Sequence, residues 1–250
     1  MNWLAADWSL PGIRAVTTLR SGPGVSPSPW EMNLGDRCGD SATNVAENRR
    51  RLLELLALPA APCWLRQVHG SRVVRVNAPA GPGWDPPEAD GAFSSDPHAV
   101  LAVLTADCLP VLLYDPARRV AAAVHSGWRG TAADICGAAV RRMADDWGCD
   151  PADIRAAVGP GIQACCYAVG EDVADRFAGR FPGAVTRRTG GKTHLDLRAC
   201  VAAALRQAGV PPEQTDAAVL CTCCWGALFH SYRRQGDDAG RLYHWIRFDG

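Results

Sequence analysis

Two apolar runs rich in β-formers, joined by a short turn and followed at once by a glycine-punctuated bend, constrain this chain more than any other stretch. Residues 100–130 read VLAVLTADCLPVLLYDPARRVAAAVHSGWRG. Leu109–Tyr114 and Val120–Val124 flank Asp115-Pro116-Ala117-Arg118, a combination that favours a tight turn. The stretch therefore reads as a β-hairpin. With Asp115–Arg118 as the loop, Tyr114 faces Arg119 and Cys108 falls directly opposite His125. A thiol and an imidazole would then share one face, with Cβ atoms roughly 5 Å apart. A slip of one residue would send them to opposite faces. Beyond His125, Thr131-Ala-Ala-Asp134 resembles a capping box. It would open a helix with apolar residues at Ile135, Ala139, Met143 and Trp147. A strand end, a glycine bend and a helix start make an anion site, and Arg129 stands beside it. The plainer alternatives are a small buried Cys, a core His and a surface salt bridge for Arg129.

The rest of the chain supplies strands, helices and loops in alternation. Residues 12–20 read as a strand, with Arg20 at its end and a bare Gly/Pro/Ser loop after it. Ser41 or Thr43 caps a helix running to about Leu58, ended by Pro59 and Pro62. Residues 64–76 read as a strand, a break at Gly70 and a second strand, with His69 beside the break. Residues 154–158 and 217–221 read as strands, 171–181 and 195–208 as helices, and 187–192 as a basic turn. Residues 229–234 and 241–248 read as a closing hairpin. Without repeats, low-complexity segments or a linker, residues 1–250 read as one domain. The expected class is α+β, a layered sandwich of mixed β-sheets with helices packed outside.

Composition excludes several classes of function. Acidic and basic residues balance at 26 each, and 48% of residues are apolar. That fits neither disorder nor a nucleic-acid footprint. No apolar run approaches the length of a membrane span, and the first residues lack the pattern of a signal peptide. A reducing cytoplasm is expected, with most of the eleven cysteines free. Cys165-Cys166 and Cys221-Thr-Cys223-Cys224 lack two paired C-x-x-C units, so they read as filler in buried strands.

Four stretches taken together carry a family pattern: Gln67-Val-His-Gly70, Thr105-Ala-Asp-Cys-Leu-Pro-Val111, Ala123-Val-His-Ser-Gly-Trp-Arg-Gly130 and His230-Ser-Tyr-Arg-Arg234. In this order they resemble the laccase-domain family of the YfiH type. The name covers proteins called multicopper polyphenol oxidase, peptidoglycan editing factor and purine nucleoside phosphorylase. The resemblance implies a zinc site on His69, Cys108 and His125, with copper as an alternative ion. Three protein ligands with a fourth position open is the pattern of a catalytic zinc. Such an ion lowers the pKa of bound water or polarises a substrate oxygen. The resemblance also implies a functional arginine before a glycine-rich loop. Arg20 is the candidate, although Pro23 makes this loop depart from the family pattern. Asp107 either orients a ligand or caps a strand, and the roles of Ser231, Arg233 and Arg234 stay open.

Three activities follow from the resemblance. The first is phosphorolysis of purine nucleosides (adenosine, inosine, guanosine, methylthioadenosine) with adenosine deamination. Its substrates would be a purine nucleoside and phosphate, with Arg20 and Arg129 as the substrate-binding cations. The second is copper-dependent oxidation of phenols, against which the count of only six histidines argues. The third is hydrolysis of mis-built peptidoglycan precursor peptides. A zinc-stabilised scaffold without activity is the non-enzyme alternative. The expected state is a monomer or weak homodimer, without nucleic-acid or membrane partners.

Overall fold

The order of apolar residues along the central hairpin dictates a layered molecule, and a computed structural model shows how the layers stack. It describes residues 3–5, 12–36, 38–58, 61–77, 80, 83–187, 189 and 191–249. In chain order the first elements are β1 (Trp3–Ala5), β2 (Ile13–Thr18), α1 (Ala42–Leu55), β3 (Val73–Arg75), β4 (Gly91–Ser94), β5 (Val100–Thr105), β6 (Leu109–Asp115) and β7 (Val120–Ser126). Then come α2 (Trp128–Ala132), α3 (Ile135–Trp147), β8 (Arg155–Val158), β9 (Ala168–Val169), α4 (Glu171–Ala178), β10 (Val185–Thr186) and β11 (Thr193–Leu195). The last are α5 (Leu197–Gln207), β12 (Thr215–Ala217), α6 (Tyr232–Gln235) and β13 (Leu242–Phe248).

The strands form a six-stranded sheet in the order β12-β8-β6-β7-β4-β3 and a four-stranded sheet in the order β1-β2-β13-β5. A small sheet, β10-β11-β9, is hydrogen-bonded to neither, and its Leu195 packs into the core beside the six-stranded sheet. Side chains alternate across each strand, and the packing follows that alternation. Leu109, Val111 and Leu113 of β6, with Val120, Ala122 and Val124 of β7, pack with Ile135, Met143 and Val201 of α3 and α5. Leu112, Tyr114, Ala121 and Ala123 face the other way, onto Leu101, Val103, Ile246 and Phe248 of the four-stranded sheet. That sheet turns Val16, Ala102 and Trp245 outward onto Leu52 and Leu56 at α1. The result is helix, sheet, sheet, helix: the expected α+β layered class. Each fully buried Leu or Val stabilises it by roughly 1.5–3 kcal/mol.

The hairpin forms with a register two residues from the expected one. Asp115 pairs with Val120 and Pro110 with His125, so the loop is 116–119. Asp115 is the reason: its Oδ1 accepts from the amides of Ala117 and Arg118, which draws the turn beyond it. A two-residue shift preserves face parity. Cys108 and His125 therefore keep one face, as diagonal rather than direct partners.

Other expectations need correction. The capping box is not used: Gly127 precedes α2, and Asp134 adopts φ 62° before α3 with its carboxylate on Arg141 and Arg180. Residues 64–72 form one isolated bridge, Arg66 with Glu88, rather than a strand, leaving only Val73–Arg75 in the sheet. Strand β12 ends at Ala217 rather than running to 221. The closing hairpin is absent: Ser231 caps the short α6, and β13 runs between β2 and β5 instead. Helix α1 begins as read, with Ser41 accepting from the amide of Asn44. Pro59 and part of the basic turn, Arg188 and Gly190, lie outside the described residues. Among the described residues no helix is long and apolar enough to cross a membrane.

His244, at the middle of the four-stranded sheet, makes this architecture acid-sensitive. Its ring is fully buried, and its nitrogens lie 2.8 Å from the hydroxyls of Thr17 and Thr105. Burial, with a smaller effect of His125, pulls it down to about 3. Its folded pKa thus lies below its ordinary value of about 6.5, so the unfolded chain binds the extra proton and stability falls as pH drops from 6.5 toward 3. Between pH 7 and 5 this one residue is expected to cost about 2 kcal/mol. Urea unfolding at both pH values should show that decrement in the wild type and its loss in His244→Gln. Equal pH slopes in the two proteins would refute it.

Candidate metal centre

Three segments distant in sequence bring His69, Cys108 and His125 together. One donor atom from each lies within 4.8 Å of the other two. The two imidazoles stand edge to face, with centroids 4.9 Å apart and planes at 83°. His125, near the end of β7, is buried; Cys108, just before β6, is half-buried; His69, ahead of β3, is exposed. The glycines after His125 are there for close approach. A Cβ on Gly127 would sit 2.9 Å from the Cys108 sulfur, and one on Gly130 2.8 Å from the Gly70 carbonyl.

Asp90, a residue sequence reasoning did not single out, organises the centre. Its carboxylate is wholly buried. Oδ1 accepts from His125 Nδ1 at 2.8 Å and from the His69 amide at 2.9 Å. Oδ2 accepts from the amides of Val68 and Gly70 at 3.2 and 2.7 Å. The first bond fixes the His125 tautomer and leaves Nε2 as its donor atom, the usual arrangement behind a metal-binding histidine. The others hold His69 at φ 60°, a conformation a side chain rarely adopts. Burial opposes the Asp90 charge, but hydrogen bonds from His125, Gly70 and Val68 keep its carboxyl below the ordinary range. The sequence signal was an Asp at the entry to a strand, which by itself reads as a turn residue.

The electrostatics favour the ionised thiol. Burial pushes Cys108 up, yet the charges and hydrogen bonds of His125 and His69 outweigh it and bring it to about 6. Burial likewise pulls His125 down, and Cys108 and Asp90 together raise it to about 9. Two imidazoles and a thiolate are a donor set that fits a divalent metal with an open position.

Asp107 neither caps a strand nor enters the centre. It adopts φ 95°, and its carboxylate accepts from the Thr222 hydroxyl and the Arg233 amide, both at 2.6 Å. It thereby ties the turn carrying Cys108 to two distant loops. Ser231 caps α6, and Arg234 donates to the carbonyls of Thr222, Cys223 and Phe229, so both are structural.

The centre opens into a cavity of about 800 Å³ whose lining includes Trp64, Trp128, Tyr167 and Tyr232, together with Arg129 and Arg233. The Arg129 guanidinium lies 4.3 Å over the Trp128 ring, and that of Arg233 5.4 Å over Tyr167. Arg20 is placed differently. It is not part of the lining, and its guanidinium is committed to Glu31 and to the Gly226 carbonyl.

Residues 14–249 match the family model described as multi-copper polyphenol oxidoreductase laccase. The chain belongs to this laccase-domain family. A relative from Xylella fastidiosa named purine nucleoside phosphorylase is 41% identical over 246 residues, covering 93% of this chain and 92% of its own. The Escherichia coli relative named purine nucleoside phosphorylase YfiH is 36% identical, with 97% of each chain covered. Among solved structures, YlmD from Geobacillus stearothermophilus superposes with a TM-score of 0.92 at 32% identity, covering 100% of this chain and 97% of that one.

The family motifs do not account for a second convergence. Cys165, Cys166, Cys221 and Cys224, expected to be buried filler, bring their sulfurs within 4.8 Å of one another, and two of them are exposed. The signal overlooked was the i, i+3 spacing of Cys221 and Cys224, which is a C-x-x-C on its own. Cys136 and Cys200 do behave as filler, buried with their thiols pushed up to about 12.

Proposed function

We propose that this protein is a zinc-dependent purine nucleoside phosphorylase acting on adenosine, inosine, guanosine and methylthioadenosine, with adenosine deaminase activity. The observation that carries the reading is the position of the three donors, at a cavity walled by aromatic rings and by several arginines, Arg129 and Arg233 among them. The names of the relatives point the same way. A bound zinc would supply a Lewis acid that polarises an oxygen or activates water.

The chain's own residues take the remaining roles. Trp128 and Tyr167 offer faces on which a purine can stack. Arg129 and Arg233 supply cations for phosphate, whose oxygen attacks C1′ of the ribose while the glycosidic bond to the base breaks. Their stacking on aromatic rings holds both guanidinium groups in place before the anion arrives. Arg20 reaches phosphate or ribose only by leaving both Glu31 and the Gly226 carbonyl, since it does not line the cavity as it stands. Asp90 and Asp107 position His69, His125 and Cys108 without touching substrate. A multi-copper oxidase needs more imidazoles than the two that meet here. A cytoplasmic monomer or weak homodimer is the form in which this chemistry fits.

Incubation of purified protein with adenosine and phosphate is expected to release adenine and ribose 1-phosphate, followed by chromatography. Without phosphate, inosine is the expected product. Arg129→Ala should raise the KM for phosphate more than that for nucleoside. No base release from zinc-loaded wild type, with phenol oxidation in its copper-loaded form, would overturn the proposal.

A further inference from the structure

We propose that Cys165, Cys166, Cys221 and Cys224 form a second metal site, separate from the His69–Cys108–His125 centre, that binds one zinc ion as a structural tetrathiolate. The spacing of the sulfurs carries it. Cys165 and Cys166 lie 3.8 Å apart, Cys165 and Cys224 3.6 Å, and Cys166 and Cys224 3.4 Å. A tetrahedral zinc with Zn–S bonds of about 2.3 Å sets its sulfurs about 3.8 Å apart. A disulfide needs about 2.05 Å. A polynuclear iron–sulfur cluster spreads its ligands wider, because its four cysteines are divided among two or four irons. Three sulfurs stand at the spacing of ligands around one ion and the Cys221 sulfur lies within 4.8 Å of each of them, and a closed set of four is the structural rather than the catalytic pattern.

The surroundings suit such an ion. The Gln163 amide donates toward the Cys221 sulfur at 3.5 Å, the kind of contact that stabilises a bound thiolate. Four thiolates around a divalent cation leave net negative charge, and the Arg234 guanidinium lies against the same segment, 2.9 Å from the carbonyls of Thr222 and Cys223. Two ligands come from a turn just after Gly161 and two from the 221–224 turn. These segments meet at the Gly161–Cys221 bridge and the Thr222-to-Gly161 hydrogen bond. Thr222 also donates to Asp107, the residue beside Cys108. An ion here would staple the loops that brace the catalytic turn, from outside the cavity.

Metal analysis of protein prepared under reducing conditions with zinc present is expected to find two equivalents per chain. Cys165→Ser/Cys224→Ser should retain one, and so should His125→Ala, by losing the other. Cobalt-loaded His125→Ala should show the intense ligand-field and charge-transfer bands of a tetrathiolate, a readout that does not depend on the double variant folding. Cys223→Ser should keep both equivalents. A single equivalent in the wild type that vanishes in His125→Ala would overturn the site. So would ready alkylation of all four thiols in the zinc-loaded native protein, or a disulfide joining them.

Discussion

His125→Ala is expected to bind no zinc at the His69–Cys108–His125 centre and to lose phosphorolysis by more than 100-fold. Loss of a residue that merely orients a ligand typically costs 10–100-fold in metal affinity or activity, and His125 is itself a ligand candidate. Its removal also withdraws the largest influence that brings the Cys108 thiol down to about 6 against its burial. The remaining pair, Cys108 and an exposed His69, offers two donors where a catalytic zinc needs three. Metal content and kcat/KM for adenosine should fall together. Asp90 would keep the three amide donors of Val68, His69 and Gly70, so the fold should survive, which urea unfolding checks. Unchanged zinc binding at this centre, with full activity, would remove the basis of the functional proposal.

What the sequence made legible was local and periodic. The central hairpin was readable because its alternation leaves little choice of face, and an error of two residues in register left Cys108 and His125 together. Helix α1 was readable because Ser41 caps it directly. Interactions between distant segments were not readable. β13 lies close in sequence to α6, which suggested a hairpin, yet it pairs with β2 and β5 from far earlier in the chain. Cys165 and Cys224 are 59 residues apart, and only the fold shows that their loops touch. His69 became meaningful in sequence through its motif alone, because its partners arrive from two other segments. Asp90 was missed for a related reason: three of the four donors to its carboxylate are backbone amides, and these carry no side-chain signature.

That hidden role makes Asp90→Asn the more informative substitution. An ionised carboxylate offers two acceptor oxygens, and both are used twice. An amide offers one oxygen and an NH₂ group. If the oxygen faces His125 and the His69 amide, the NH₂ meets the amides of Val68 and Gly70, donor against donor. If the side chain turns round, the NH₂ meets the His69 amide and His125 Nδ1, which drives the imidazole to carry its proton on Nε2 and so blocks its metal-binding atom. In the first arrangement two backbone donors lose their acceptor and in the second the His69 amide does, at about 1–3 kcal/mol each. The substitution removes one full negative charge and almost no volume, so packing loss cannot account for the result. Urea unfolding should show destabilisation of about 1–6 kcal/mol, and competition titration a zinc affinity lower by about 10–100-fold. Wild-type stability together with wild-type zinc affinity would mean that Asp90 is not what holds His69 and His125 in register.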